Sequence, residues 1–302
     1  MQVCVLLSTY NGARYLLEQI ASVRAQEDVK VCLVVRDDGS TDSTIALLSR
    51  FQSDNQLKLM PGKVNLGPGL SFLKLLESTP NDCKFFAFCD QDDVWQKNKL
   101  ARATAALAPF GEEVPAMYCS RLEIVDSNLQ SLGLSRVPRQ IGFGNAMVEN
   151  VATGCTIVLN QRARSLILSA LPDQCEMHDW WIYLVISCFG KIIYDPTPAI
   201  RYRQHVGNEV GISIDLKSEL LKRIDRFKKR SGGVFRCVQQ ASDFLEAYGE
   251  RIPEEKAELA RKFIRGKSSF FARLSLALSS RIWRQSRVDG VILRILILLN
   301  RY

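Results

Sequence analysis

The chain has 302 residues, 47% hydrophobic and 24% charged, enough to bury one large α/β domain with a smaller appendage and too apolar for disorder. Its nine cysteines are scattered without C-x-x-C pairing, which argues against a disulfide or zinc framework and for buried thiols in a reducing compartment. The formal charge of +8 is uneven: residues 217–302 carry 20 of the 40 Lys and Arg but 9 of the 32 Asp and Glu, a net of +11 against −3 for the rest.

From Gln2 to about Lys99, short apolar runs alternate with segments of helical length, the pattern of a βαβ series building a mainly parallel sheet. Val3–Thr9 reads as the first strand and Ala13–Ala25 as the first helix. A second strand ends at Arg36 or Asp37, and Ser40, Thr41 and Asp42 cap a helix that reaches about Gln52. Gln56–Met60, the helix Gly67–Ser78 and the strand Lys84–Cys89 follow. Beyond Val114, Ala116–Val125, Cys155–Leu159 and Lys191–Tyr194 read as strands, and Gln161–Ala170 and Asp179–Cys188 as helices. After about Ile214 every segment reads helical, with Leu220, Leu221, Ile224 and Phe227 among basic residues, so a domain boundary is expected near residue 215. No basic region precedes the first apolar run, so no signal peptide is expected. The apolar tail Val288–Leu299 is shorter than the roughly 20 residues of a bilayer span and contains Asp289 and Arg294.

In an open α/β sheet, ligands bind at the carboxyl ends of the strands, so the polar clusters there are expected to converge. These are Ser8-Thr9-Tyr10-Asn11, Asp37-Asp38-Gly39-Ser40 and Asp90-Gln91-Asp92-Asp93. The acidic run offers carboxylate oxygens to a divalent cation, which stabilises a departing diphosphate; a solvated acidic turn or a helix cap is the plainer alternative. An acid after the second strand, Asp38, is placed to accept from a pyrimidine N3–H or simply to shape a turn. Asp179, beside His178, Trp180 and Trp181, suits a general base next to indole faces that pack on sugar rings, or a helix cap. Arg201, Arg203 and His205 are candidate diphosphate and metal contacts. The dinucleotide fingerprint and the P-loop are both missing, which argues against dehydrogenases and P-loop kinases.

Taken in order, STYNG, DDGSTD, NLG at 65–67, CDQDDVW, TGCT at 153–156, MHDWW and YRQHVGNEVG resemble the family 2 glycosyltransferases of the GT-A fold, and within them bacterial rhamnosyltransferases of cell-surface polysaccharide (rhamnan or O-antigen) synthesis. The likeness runs from about Val3 to Gly211 and implies a Rossmann-like, mainly parallel sheet flanked by helices over 1–214, with a nucleotide-binding half (1–99) and an acceptor-binding half (100–214), followed by a helical basic region over 215–302. It implies a dTDP-β-L-rhamnose donor, or alternatively a UDP-sugar, a Mg²⁺ or Mn²⁺ ion, and inverting transfer to a lipid-linked saccharide. Carried over by position, Ser8, Thr9, Tyr10, Asn11, Asp38, Asn65, Gly67, Asp90, Gln91, Asp92, Gly154 and Arg203 would bind the nucleotide-sugar. Asp179 would be the base; Asp90, Asp92, Asp93 and His205 would serve the metal; Trp95, His178, Trp180, Trp181 and Gln204 would line the donor and acceptor pocket.

The basic tail mixes aromatics such as Phe270, Phe271 and Trp283 with Arg273, Arg281 and Arg284, a composition that suits an anionic membrane surface, with a solvated helical bundle or a homodimer interface as the alternative. Peripheral attachment to the inner face of the bacterial cytoplasmic membrane is therefore expected. Three rival readings compete. A nucleotidylyltransferase would need a glycine-rich basic first loop in place of Thr9-Tyr10-Asn11-Gly12. A nucleic-acid binder would leave the carboxylates without a role, and a non-catalytic assembly subunit would not need the acids retained here.

Overall fold

The computed structural model describes residues 1–79, 83–175, 177–205 and 235–302. In chain order the first elements are β1 (Gln2–Thr9), α1 (Leu16–Arg24), β2 (Lys30–Asp37), α2 (Thr44–Ser53), β3 (Lys58–Pro61), α3 (Gly67–Glu77), β4 (Phe85–Cys89), β5 (Val94–Trp95) and α4 (Lys99–Leu107). Next come β6 (Ala116–Ser120), β7 (Glu123–Val125), β8 (Ser131–Leu134), α5 (Phe143–Ala146), β9 (Val158–Asn160), α6 (Gln161–Leu168), α7 (His178–Phe189), β10 (Lys191–Asp195) and β11 (Ile200–Arg203). The chain closes with α8 (Phe235–Tyr248), α9 (Glu254–Arg265), α10 (Phe270–Ala277) and α11 (Arg287–Leu298).

Among the described residues the main sheet has seven strands in the order β10-β6-β9-β4-β1-β2-β3, parallel except for β9. The run QVCVLLST is apolar on both faces, which only a central strand covered by helices on each side tolerates; Val3–Leu7 are fully buried. Register sets the site, because Thr9 lies beside Asp37, and Leu7 beside Cys89, so the loops at 10, 38 and 90 leave one edge of the sheet together. A second sheet, β5-β11-β7-β8, pairs β5 antiparallel with β11. It brings the segment after β11 alongside the acidic loop that precedes β5.

Several expectations shift. Ala116–Val125 is two strands in different sheets, and Cys155–Leu159 opens as a 3-10 turn at Gly154–Thr156 before β9. None of the nine cysteines forms a disulfide, and six of them are buried. The chain forms two compact units that interleave in sequence. One comprises Met1–Val137, Ala152–Asp179 and Gly190–Ile212; the other adds Pro138–Val151 and Trp180–Phe189 to Ser213–Tyr302. The cause lies in α7, whose residues after Asp179, WWIYLVISCF, are apolar around the whole helix and need cover on every side. In the second unit Trp181 packs on Phe244 and Tyr248, and Phe189 on the same two rings. The expected helices through Leu220, Leu221, Ile224 and Phe227 lie outside the described residues.

Candidate active site at the carboxyl edge of the sheet

The first two loops are held by short polar side chains that bond backbone. Asp37, fully buried, accepts from the Thr9 hydroxyl (3.0 Å), the Ser40 hydroxyl and the amides of Gly39 and Ser40. Asn11 sits in the left-handed region (φ 49°) and its Oδ1 accepts from the Thr41 amide at 2.8 Å. The Ser8 and Ser71 hydroxyls are 2.7 Å apart, and the Tyr10 ring is exposed. Gln91 clips the Tyr10 backbone, accepting from its N–H at 2.9 Å and donating to its carbonyl at 3.1 Å.

Asp38 is buried, and both its oxygens are engaged. Arg36 donates to Oδ1 at 2.8 Å, and the amides of Leu66 and Gly67 donate to Oδ2, each at 2.9 Å. The carboxylate thereby caps the start of α3 and fixes the 65–67 loop, where the Asn65 side chain also accepts from the Gly67 amide. Gly67, at φ 74°, holds a conformation open to glycine.

The acidic loop packs its charges closely. Burial, then the Asp92 and Asp179 carboxylates, raise the Asp90 carboxyl to about 7. Burial, then Asp92 and Asp90, hold Asp93 well above the usual carboxylate range. Asp93 is fully buried and accepts from the Arg203 amide at 3.0 Å, while its other oxygen has no hydrogen-bond partner. Asp92 Oδ2 lies 2.8 Å from His205 Nε2, whose ring stands against Tyr15 with centroids 5.1 Å apart. Among the described residues Asp90, Asp93 and Cys155 bring ligand atoms within 4.8 Å of one another, beside the Asp92 carboxylate; hard carboxylate oxygens, one of them on Asp93 without a hydrogen-bond partner, make this a donor set that fits a divalent cation.

Arg203, a candidate diphosphate contact, is engaged by protein groups. The side chain is 2% exposed, and its guanidinium donates to the Asp92 carbonyl (2.8 Å), the Ser127 carbonyl (2.6 Å) and Glu18, over the Tyr15 ring. It is a strut that ties β11 to the acidic loop and to α1. Gln204, which follows it, is half-buried and donates its backbone amide to the Val125 carbonyl.

Trp95 lies in the main core, with the Lys99 ammonium 3.5 Å from its ring centroid. Lys99 went unnoticed in the sequence. It is fully buried, its Nζ has no hydrogen-bond partner, and burial lowers it to about 8, opposed by nearby Cys89, Cys155, Asp93 and Asp90. Helical spacing could have revealed it, since 99, 103 and 107 lie on one stripe with Ala103 and Leu107 in the core.

Asp179 opens α7, is buried, and accepts from the Gly154 amide at 3.0 Å. A Cβ on Gly154 would stand 2.8 Å from His178 Nε2, so this glycine lets the turn approach the His178 ring. His178 is 3% exposed, set between Phe72 (4.1 Å) and Phe88 (5.0 Å), and burial lowers it to about 3, leaving it neutral. Trp180 and Trp181 belong to the second unit, where Trp180 donates to the Ala146 carbonyl at 2.6 Å and Trp181 is buried in the aromatic core.

A mainly parallel sheet whose polar loops, carboxylate cluster and buried Asp179 lie at the carboxyl ends of its strands matches the GT-A glycosyltransferase fold. The glycosyl transferase family 2 model matches residues 4–147, and the chain belongs to that family. It is 34% identical over 305 residues to an uncharacterized glycosyltransferase, alr2836, of Nostoc, covering 95% of this chain and 88% of that protein. It is 29% identical over 231 residues to the dTDP-rhamnosyl transferase RfbG of Shigella flexneri, covering 70% of this chain and 76% of that protein. The fold resembles that of Staphylococcus aureus TarS 1–349 in complex with UDP-GlcNAc, with TM-score 0.57 and 18% identity over 100% of this chain and 87% of that one.

Proposed function

We propose that the chain is an inverting rhamnosyltransferase, moving L-rhamnose from dTDP-β-L-rhamnose to a hydroxyl of a lipid-linked saccharide during synthesis of a bacterial cell-surface polysaccharide. The observation that supports the reaction type is geometric: Asp179 accepts from the Gly154 amide at 3.0 Å, and the next residue, Cys155, holds its thiol within 4.8 Å of carboxylate oxygens of Asp90 and Asp93. The likeness to RfbG supports the rhamnosyl donor. A second reading, a UDP-sugar donor, is favoured by 29% identity over 185 residues to the Escherichia coli UDP-Glc:α-D-GlcNAc-diphosphoundecaprenol β-1,3-glucosyltransferase WfgD, covering 61% of this chain and 69% of that protein.

Ser8–Asn11 and the 65–67 loop anchored by Asp38 hold the nucleoside. Asp90 and Asp92 hold Mg²⁺ or Mn²⁺, with His205 orienting Asp92 and Asp93 completing the acidic wall. When bound, the cation offsets the charge that builds on the departing diphosphate. Asp179, fixed by the Gly154 amide, takes the proton of the acceptor hydroxyl as that oxygen attacks the anomeric carbon opposite the diphosphate. One displacement completes the transfer, with no covalent sugar–enzyme link. The enzyme works peripherally at the inner face of the cytoplasmic membrane, where the lipid-linked acceptor resides.

Asp179→Asn keeps the shape and removes the base. With radiolabelled dTDP-rhamnose, transfer is expected to fall by about 10²-fold or more while donor affinity stays within a few-fold of wild type. Turnover at the wild-type rate would refute the assignment.

A further inference from the structure

The second unit carries a surface that the transfer chemistry does not use. The inner side of α10 buries Leu276 and Ala277, yet its outer side leaves Phe270, Phe271 (80% exposed), Leu274 and Leu278 (76%) in solvent at helical spacing. The same holds for α11, where Leu293, Leu296 and Ile297 are buried while Val288, Val291, Ile295 and Leu298 form an exposed stripe. A helix on a solvated surface would present polar residues there. Here the polar residues beside the stripe are cations, Arg287, Arg294 and, just past the helix, Arg301, seven residues apart and all exposed. Over residues 266–302 there are seven Lys and Arg and one acid, Asp289. Among the described residues no helix is long and apolar enough to cross a membrane.

We propose that the outer faces of α10 and α11 dock on an anionic phospholipid bilayer, the aromatic and aliphatic side chains entering the acyl boundary and Arg287, Arg294 and Arg301 pairing with headgroup phosphates. The charge decides the occupant. A second copy seated on this face would set arginines against arginines with only Asp289 to offset them, whereas an anionic bilayer neutralises the row. The proposal gives the membrane-side reading above its contact surface, and lipid binding is measured independently of the reaction.

The test is vesicle flotation of the full chain at low salt, with phosphatidylcholine alone and with a phosphatidylcholine–phosphatidylglycerol mixture. Wild type is expected to float with the mixture; Phe271→Ser with Leu278→Ser weakens this about tenfold or more, and Arg287→Gln with Arg294→Gln removes the preference for the anionic lipid. All four positions are exposed, so circular dichroism should be unchanged. Absence of wild-type binding, or variants that bind as wild type does, would overturn the proposal. So would a light-scattering mass of a dimer that the apolar variant dissociates. Transfer to a water-soluble acceptor is expected to survive in both variants; its absence in wild type, with vesicle binding intact, would count against the transferase reading alone.

Discussion

Asp90 carries the tension of the site. Its carboxyl is raised to about 7 by burial and by Asp92 and Asp179, so protonated Asp90 stabilises the metal-free fold at low pH. Because the folded value lies above the unfolded one, that contribution is fully present below about pH 4 and is lost as pH rises through about 7. A cation held by Asp90, as the proposed function requires, would displace that proton. Calorimetric Mn²⁺ affinity is therefore expected to be about tenfold weaker at pH 6 than at pH 8, and pH-independent binding would contradict this account of Asp90. The sequence exposed Asp90, Asp92 and Asp179 because each sits at the edge of an element, where polar residues are conspicuous. The burial of His178, Trp95, Arg203 and Lys99 was not legible, because a polar or aromatic residue reads the same whether it lines a cleft or is buried against it. Their burial is decided by partners far along the chain: Phe72 and Phe88 for His178, Glu18 and Ser127 for Arg203.

Among the elements, β11 does the most to position the site. Its pairing with β5 sets Arg203 against the acidic loop, and the guanidinium spreads bonds to Asp92, Ser127 and Glu18 that a lysine cannot reproduce. Arg203→Lys is expected to cost about 3 kcal/mol in urea unfolding, with Mn²⁺ affinity reduced as the loop loosens. Unchanged stability with a selective loss of donor affinity would instead restore Arg203 as a diphosphate clamp. The strand itself was not legible: four residues, IRYR, show a basic cluster more plainly than a strand, and the partner β5 has two residues. β1, β2 and β4 were legible because long runs of buried aliphatic and aromatic residues admit few alternatives.

For the whole molecule, the alternation of strands and helices was enough to specify a mainly parallel sheet and the end at which its polar loops meet. The interleaving of the two units was not, because 138–151 and 180–189 join the basic helices only through packing, as where Trp181 meets Phe244 and where the Gln285 side chain accepts from the Arg139 amide. The central claim concerns the reaction those units serve. Purified full-length chain with Mn²⁺ and a lipid-linked saccharide acceptor can be offered dTDP-rhamnose, UDP-glucose or UDP-GlcNAc in turn, with nucleoside diphosphate release and the anomeric configuration of the product measured. The account predicts dTDP release and an α-L-rhamnoside from dTDP-β-L-rhamnose; turnover of a UDP-sugar alone, or of no donor, would contradict it.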